Sequence, residues 1–394
     1  MTLDESRLRI PRAEYPQRWR NVQSLMAQQG LDLLVAYADD RATYGAAHAR
    51  WLADFPVHFE PVCVLLRQAG PPILLCGPES DEYARLVGSI SDVRVLREFT
   101  HPDEEYNYSV IESLAEILTA GFGNLQAIRK VGIAGRSLMS VDLLMAFQST
   151  LATAEWLDVE KDVSMLRAIK SPAEVAVIRH AYHIAQIGMQ AAIDAVKVGV
   201  TEREVAAEAE AAMRRAGAEG TGIDTIVASG PHARPILARS TFRKIQSGDL
   251  VVLTVAPRYE GYHGAIGRPL FVGHCDVEVR RAFDVALTAQ KECTALLRSG
   301  IEGREVDALG RRIVGDSGLG QYYLYTGVHS VGVIEFETPI FNAQNPTLLQ
   351  PNMCISIDIP MFNAPWGGLR IEDGFLITED GAESLHHTPY LIEK

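Results

Sequence analysis

The sequence has 394 residues, room for two domains at about 100–200 residues each. Apolar residues make up 47% and charged residues 22%, an ordinary globular composition, and no apolar run reaches the roughly 18 residues of a membrane-spanning helix. Thirty-seven basic against fifty acidic residues give a net charge of −13 with the bases dispersed, which excludes a nucleic-acid partner and favours a neutral or cationic small substrate.

The N-terminal stretch has no basic-then-apolar signal pattern, so a cytoplasmic protein is expected. Cys63, Cys76, Cys275, Cys293 and Cys354 are far apart and form no C-x-x-C pair, which reads as reduced thiols. The first strand is expected over 31–37. Strands over 62–66 and 72–76 are joined by Arg-Gln-Ala-Gly-Pro as a hairpin. A helix over 109–120, a strand over 131–134 and a helix over 140–149 complete an α/β unit, residues 1–165.

The second unit, residues 166–394, opens with Ser171-Pro172-Ala-Glu174. Ser171 caps, Pro172 suits the first turn, and Glu174 closes a capping box. That helix runs toward Lys197, and Thr201-Glu-Arg-Glu204 repeats the box for a second helix ending near Gly217. Strands follow over 223–229, 249–256 and 261–273, then helices over 276–298 and 305–316, and strands over 353–358 and 368–378. Paired helices alternating with antiparallel strands give an α+β fold class.

Several motifs in this order resemble the pita-bread superfamily of creatinase, aminopeptidase P and prolidase. They are Lys170-Ser-Pro-Ala-Glu174, Gly248-Asp249-Leu-Val-Val-Leu, Tyr259-Glu-Gly-Tyr262, His329-Ser-Val-Gly332, Met353-Cys-Ile-Ser-Ile-Asp358 and Leu369-Arg-Ile-Glu372. The resemblance spans nearly the whole chain and implies an N-terminal creatinase-like α/β domain followed by a pita-bread catalytic domain. It also implies a homodimer, with the N-terminal domain reaching over the partner's site. In the peptidases of this superfamily two metals sit on Asp, Asp, His, Glu and Glu. The resemblance puts those positions at Thr254, Ala265, His329, Asp358 and Glu372. The proton-handling His falls on Phe336, and another His on Leu237. A two-ion centre needs bridging oxygen ligands to hold cations about 3.5–4 Å apart, and both aspartates are missing.

The resemblance therefore implies a divergent member, closest in type to creatinase and ectoine hydrolase. The expected activity is metal-independent hydrolysis of a C–N bond in a small cationic or zwitterionic substrate. Asp358 and Glu372 would grip the cation, and His329 or His263 would move the proton. Glu337 or Glu335 would add an acid, base or anchor. Arg370 would either anchor substrate or neutralise the carboxylates as a structural partner, His232, Tyr262 and Arg239 would contact substrate, and Trp51 and His58 would close the pocket of the partner. No cofactor is expected. If one divalent metal is bound, its ligands are expected to be His329, Asp358, Glu372 and His263, giving a mononuclear hydrolase or lyase. A Xaa-Pro peptidase with altered ligands and an inactive binding scaffold are the remaining readings. His386 and His387 are expected at the surface.

Overall fold

A computed structural model describes residues 7–394. The chain forms two compact units, Pro11–Leu166, and Arg167–Lys394 with residues 7–10. The first unit is a seven-stranded sheet. Its order is Ile111–Glu112, Asp92–Leu96, Ile73–Cys76, Val62–Arg67, Leu33–Ala38, Lys130–Ala134 and Glu155–Asp158. Val62–Arg67 and Ile73–Cys76 form the hairpin, with Cys63 opposite Leu75. Leu33, Val35, Tyr37, Leu65, Ile133 and Phe147 belong to its core cluster.

The helix expected from Ser109 starts later, at Leu114, because Ser113 and Glu116 close a capping box there. Residues 111–112 pair instead with the neighbouring strand. The boxes at Ser171–Glu174 and Thr201–Glu204 both form, each satisfying two backbone N–H groups at a helix start.

The second unit carries one antiparallel sheet. Its order is Glu337–Ile340, Val328–Ser330, Cys354–Ala364, Gly367–Ile377, Ile266–Phe271, Leu250–Val255 and Ile226–Ser229, with Ala382–Ser384 paired to Gly367–Ile377. Two helix pairs pack with it, Pro172–Ala195 with Glu202–Arg215 and Val277–Leu296 with Gly303–Asp316. A separate three-stranded sheet joins Tyr262–His263, Pro257–Tyr259 and Gly220–Thr221. Among the described residues no helix is long and apolar enough to cross a membrane.

Strand alternation sorts the polar residues of this sheet onto two faces. Asp373 points away from Glu372 and meets Arg268 at 2.5 Å and Gln290 at 2.7 Å. His386, expected at the surface, is buried against the same carboxylate with Nε2 at 3.0 Å. The cause is that Arg268 also binds the carbonyls of Thr388 and Pro389, which ties the C-terminal segment over the sheet.

Glu337 is not placed as a catalytic acid. It is buried, with one carboxylate oxygen 2.7 Å from Arg167 Nε and the other 3.2 Å from Lys170 Nζ. Both oxygens are thus committed to holding the start of the unit onto the strand Glu337–Ile340. Removing the charge leaves two buried cations without it, which costs about 3–5 kcal/mol. Glu337→Gln is therefore expected to lower the unfolding free energy by that amount, read as a lower denaturant midpoint, and an unchanged midpoint would show that this pairing does not hold the fold.

Candidate active site

The register of the central strands assembles the site. Asp358 lies opposite Glu372, Glu372 opposite Gly267, and Gly267 opposite Thr254, so one row crosses four strands. His329 lies opposite Ser356, one alternation along from Asp358. Asp358, Glu372, Arg370, Thr254 and His329 are all buried.

Arg370 Nε lies 3.1 Å from Asp358 Oδ2, and its Nη1 is 3.4 Å from the Thr254 hydroxyl. The phenol of Tyr325 donates to Asp358 Oδ2 and accepts from Arg370 Nη2. Asp358 Oδ1 is buried with no hydrogen-bond partner. Glu372 accepts from the Ser356 hydroxyl at 3.0 Å. Gly267 makes this crossing possible. A Cβ there would lie 2.7 Å from the Arg370 stem and 2.9 Å from Glu372 Cβ.

Burial pushes the Asp358 carboxyl up to about 7, with Arg370 opposing and Glu372 adding to the shift. Burial also raises Glu372, again against Arg370. It pushes His329 down to about 4, so the imidazole is neutral near pH 7. Its Nδ1 lies 3.0 Å from the Ser330 carbonyl oxygen, which only accepts, so Nδ1 carries the proton and Nε2 keeps its lone pair.

Among the described residues, one group of metal-ligating side chains converges. His329, Glu335 and Glu372, all buried, bring ligand atoms within 4.8 Å of one another. One imidazole and two carboxylates suit a single divalent ion. The charges agree. Glu335, Glu372 and Asp358 against Arg370 leave two negative charges when ionised, which one divalent ion matches. For a second ion, Asp358 is already held by Arg370 and Tyr325, and Thr254 and Ala265, where the resemblance put the two aspartates, supply a hydroxyl and a methyl. The residues fit one ion and not two.

Several expectations change here. The absence of any cofactor is not supported, because this set fits an ion. Glu335 enters it, whereas Asp358 and His263 lie outside it. Asp358 is held by Arg370 and Tyr325. His263 was expected on one strand with Ala265, over 261–273. The strand breaks between them, and His263 pairs with Arg258 in the small sheet, its Nδ1 3.1 Å from the Gly332 carbonyl. Arg370 serves as the partner of Asp358, which supplies the internal counter-charge that a cationic substrate was expected to bring.

The other expected contacts have other partners. Tyr262 donates to Glu174 at 2.7 Å, and His232 Nδ1 lies 2.9 Å from buried Glu202. Arg239 is exposed and pairs with Asp224 at 2.8 Å. Within the N-terminal unit, Trp51 is buried beneath Arg18, and His58 is exposed beside Asp40. Tyr325 and Ser356 were not expected in the site. Tyr325 stands in a connecting stretch without periodicity. Ser356 follows from strand alternation two residues before Asp358.

A model of metallopeptidase family M24 matches residues 176–379, and one of the creatinase/prolidase N-terminal domain matches residues 18–169. The chain belongs to metallopeptidase family M24. It is 32% identical over 292 residues to a Xaa-Pro dipeptidase of Pyrococcus furiosus, covering 73% of this chain and 83% of that protein. An uncharacterized peptidase of Bacillus subtilis is 30% identical over 285 residues, covering 72% and 79%. The solved prolidase of Pyrococcus horikoshii OT3 superposes with a TM-score of 0.82 at 25% identity, covering 95% of this chain and 99% of that one. The two relatives are named as peptidases and the solved structure as a prolidase, none of them as a creatinase.

Two predictions follow from this geometry. Gly267→Ala is expected to cost about 1–3 kcal/mol of stability by overpacking. It should also displace Arg370 and remove activity, and wild-type melting with wild-type turnover would contradict the crossing. The second concerns His263, which burial pushes down to about 3. The unfolded chain protonates it near pH 6.5, so stability is whole above that pH and falls progressively down to about pH 3. In denaturation series between pH 7 and pH 5, His263→Leu should flatten the slope. An equally steep slope would exclude His263 as its source.

Proposed function

We propose that this protein is a hydrolase that cleaves an amide C–N bond in a small dipeptide-like substrate at a centre built for one divalent ion. The observation that carries the reading is the convergence of His329, Glu335 and Glu372 within 4.8 Å. Its support in sequence is the likeness to proteins named as Xaa-Pro dipeptidases.

The chemistry an ion supplies at such a set is Lewis acidity toward a carbonyl oxygen and toward water. The protein's own groups divide the remaining work. His329 offers Nε2 because the Ser330 carbonyl holds the proton on Nδ1. Ser356 fixes Glu372 through its 3.0 Å hydrogen bond. Phe336, its ring 4.2 Å from that of His329, supplies no proton acceptor. Asp358 takes that part. Its carboxyl titrates near neutrality, and Oδ1 has no partner. Oδ1 takes a proton from the attacking water and returns it to the leaving nitrogen as the C–N bond breaks. Arg370 holds the other oxygen and keeps the carboxylate in place. A homodimer belongs to the same proposal, to be read from the molecular mass in solution.

The test is a panel of Xaa-Pro dipeptides, other dipeptides and guanidino compounds, each assayed with and without chelator. The expected result is turnover of a dipeptide, lost on chelation, restored by one divalent ion and abolished by Glu372→Gln. Chelator-resistant turnover of a guanidino compound would instead favour the metal-free creatinase-like reading.

A further inference from the structure

The sheet register puts Asp358 directly opposite Glu372, and both are buried on the same face. By position alone, Asp358 would be the natural third ligand beside His329 and Glu372. The side chains are arranged otherwise. Asp358 Oδ2 accepts from the Tyr325 phenol and lies 3.1 Å from Arg370 Nε. Tyr325 also accepts from Arg370 Nη2, so carboxylate, phenol and guanidinium close a three-membered clasp. Arg370 is buried between the rings of Tyr325 and Phe362, its guanidinium carbon 5.8 Å and 5.5 Å from their centres. A cation bound by Asp358 would therefore sit against a fixed guanidinium charge, which opposes it.

The segment 331–336 supplies the replacement. The strand Val328–Ser330 is irregular between His329 and Ser330, where its pairing with Glu337–Ile340 shifts register. The intervening turn, with the Gly332 N–H on the Ile334 carbonyl, brings the Glu335 carboxylate back to His329 and Glu372.

We propose a ligand exchange. Glu335 is the third protein ligand of a single divalent ion, and Tyr325 is the positioning residue that, with Arg370, keeps Asp358 out of its coordination. This deepens the proposed function, but it concerns ion binding alone, so it can stand or fall apart from turnover.

The experiment titrates the metal-free protein with Mn2+ in the absence of substrate, following free ion by electron paramagnetic resonance. Circular dichroism checks that each variant is folded. Wild type is expected to bind one ion per chain. Glu335→Gln should weaken binding at least tenfold, and Asp358→Asn, which removes a charge but no ligand, should weaken it less than Glu335→Gln does. Tyr325→Phe removes only the phenol oxygen and leaves Asp358 Oδ2 held by Arg370 alone, able to turn toward the ion, so binding should tighten threefold or more. That variant carries the test if Asp358→Asn does not fold. Two ions per chain, a loss in Asp358→Asn as large as that in Glu335→Gln, or unchanged or weaker binding in Tyr325→Phe would each overturn the exchange. Turnover failing on every substrate while these affinities hold would count against the hydrolase reading and leave the exchange in place.

Discussion

The site depends on one buried guanidinium. Arg370 lies beside the site carboxylates, paired with Asp358 and in reach of Thr254. A buried cation of this kind is tolerated only with its counter-charge beside it. Its presence neutralises one carboxylate of the three and leaves the charge of one divalent ion to be balanced. The same guanidinium dictates Gly267, since any side chain there would collide with its stem. It also holds Asp358 with one oxygen engaged and the other open.

Strand alternation separates this chemistry from the structural ion pairs. On Gly367–Ile377, Arg370 and Glu372 face the site, while Asp373 faces Arg268, Gln290 and His386. Burial raises Glu372, whereas Asp373 is pulled down to about 2 against its own burial by the Arg268 charge and the His386 contact. Adjacent carboxylates in one strand are thus shifted in opposite directions because their partners differ. The Glu337 pairing with Arg167 and Lys170 is a third arrangement, in which both oxygens are taken and nothing remains for a substrate.

Much of this was legible in the sequence. The capping boxes at Ser171 and Thr201 are local patterns, and local patterns give element starts. His329, Asp358 and Glu372 stand in motifs whose order survives, so their convergence could be expected. What could not be read was the choice among neighbouring acids. Glu335 and Glu337 are two residues apart, and only the irregular pairing after His329 decides which one reaches Glu372. His263 failed for a related reason, since a strand break between residues 263 and 265 changes which sheet it joins. Tyr325 carries no signal of its own, because its role depends on two residues more than thirty positions away.

The chemistry of this site turns on a single ion held by His329, Glu335 and Glu372. Anomalous diffraction from a crystal grown with Mn2+ tests it most directly. One anomalous peak per chain is expected within coordination distance of His329, Glu335 and Glu372, with Asp358 still on Arg370. Two peaks bridged by Glu372, or one peak bound to Asp358 with Glu335 turned away, would contradict it.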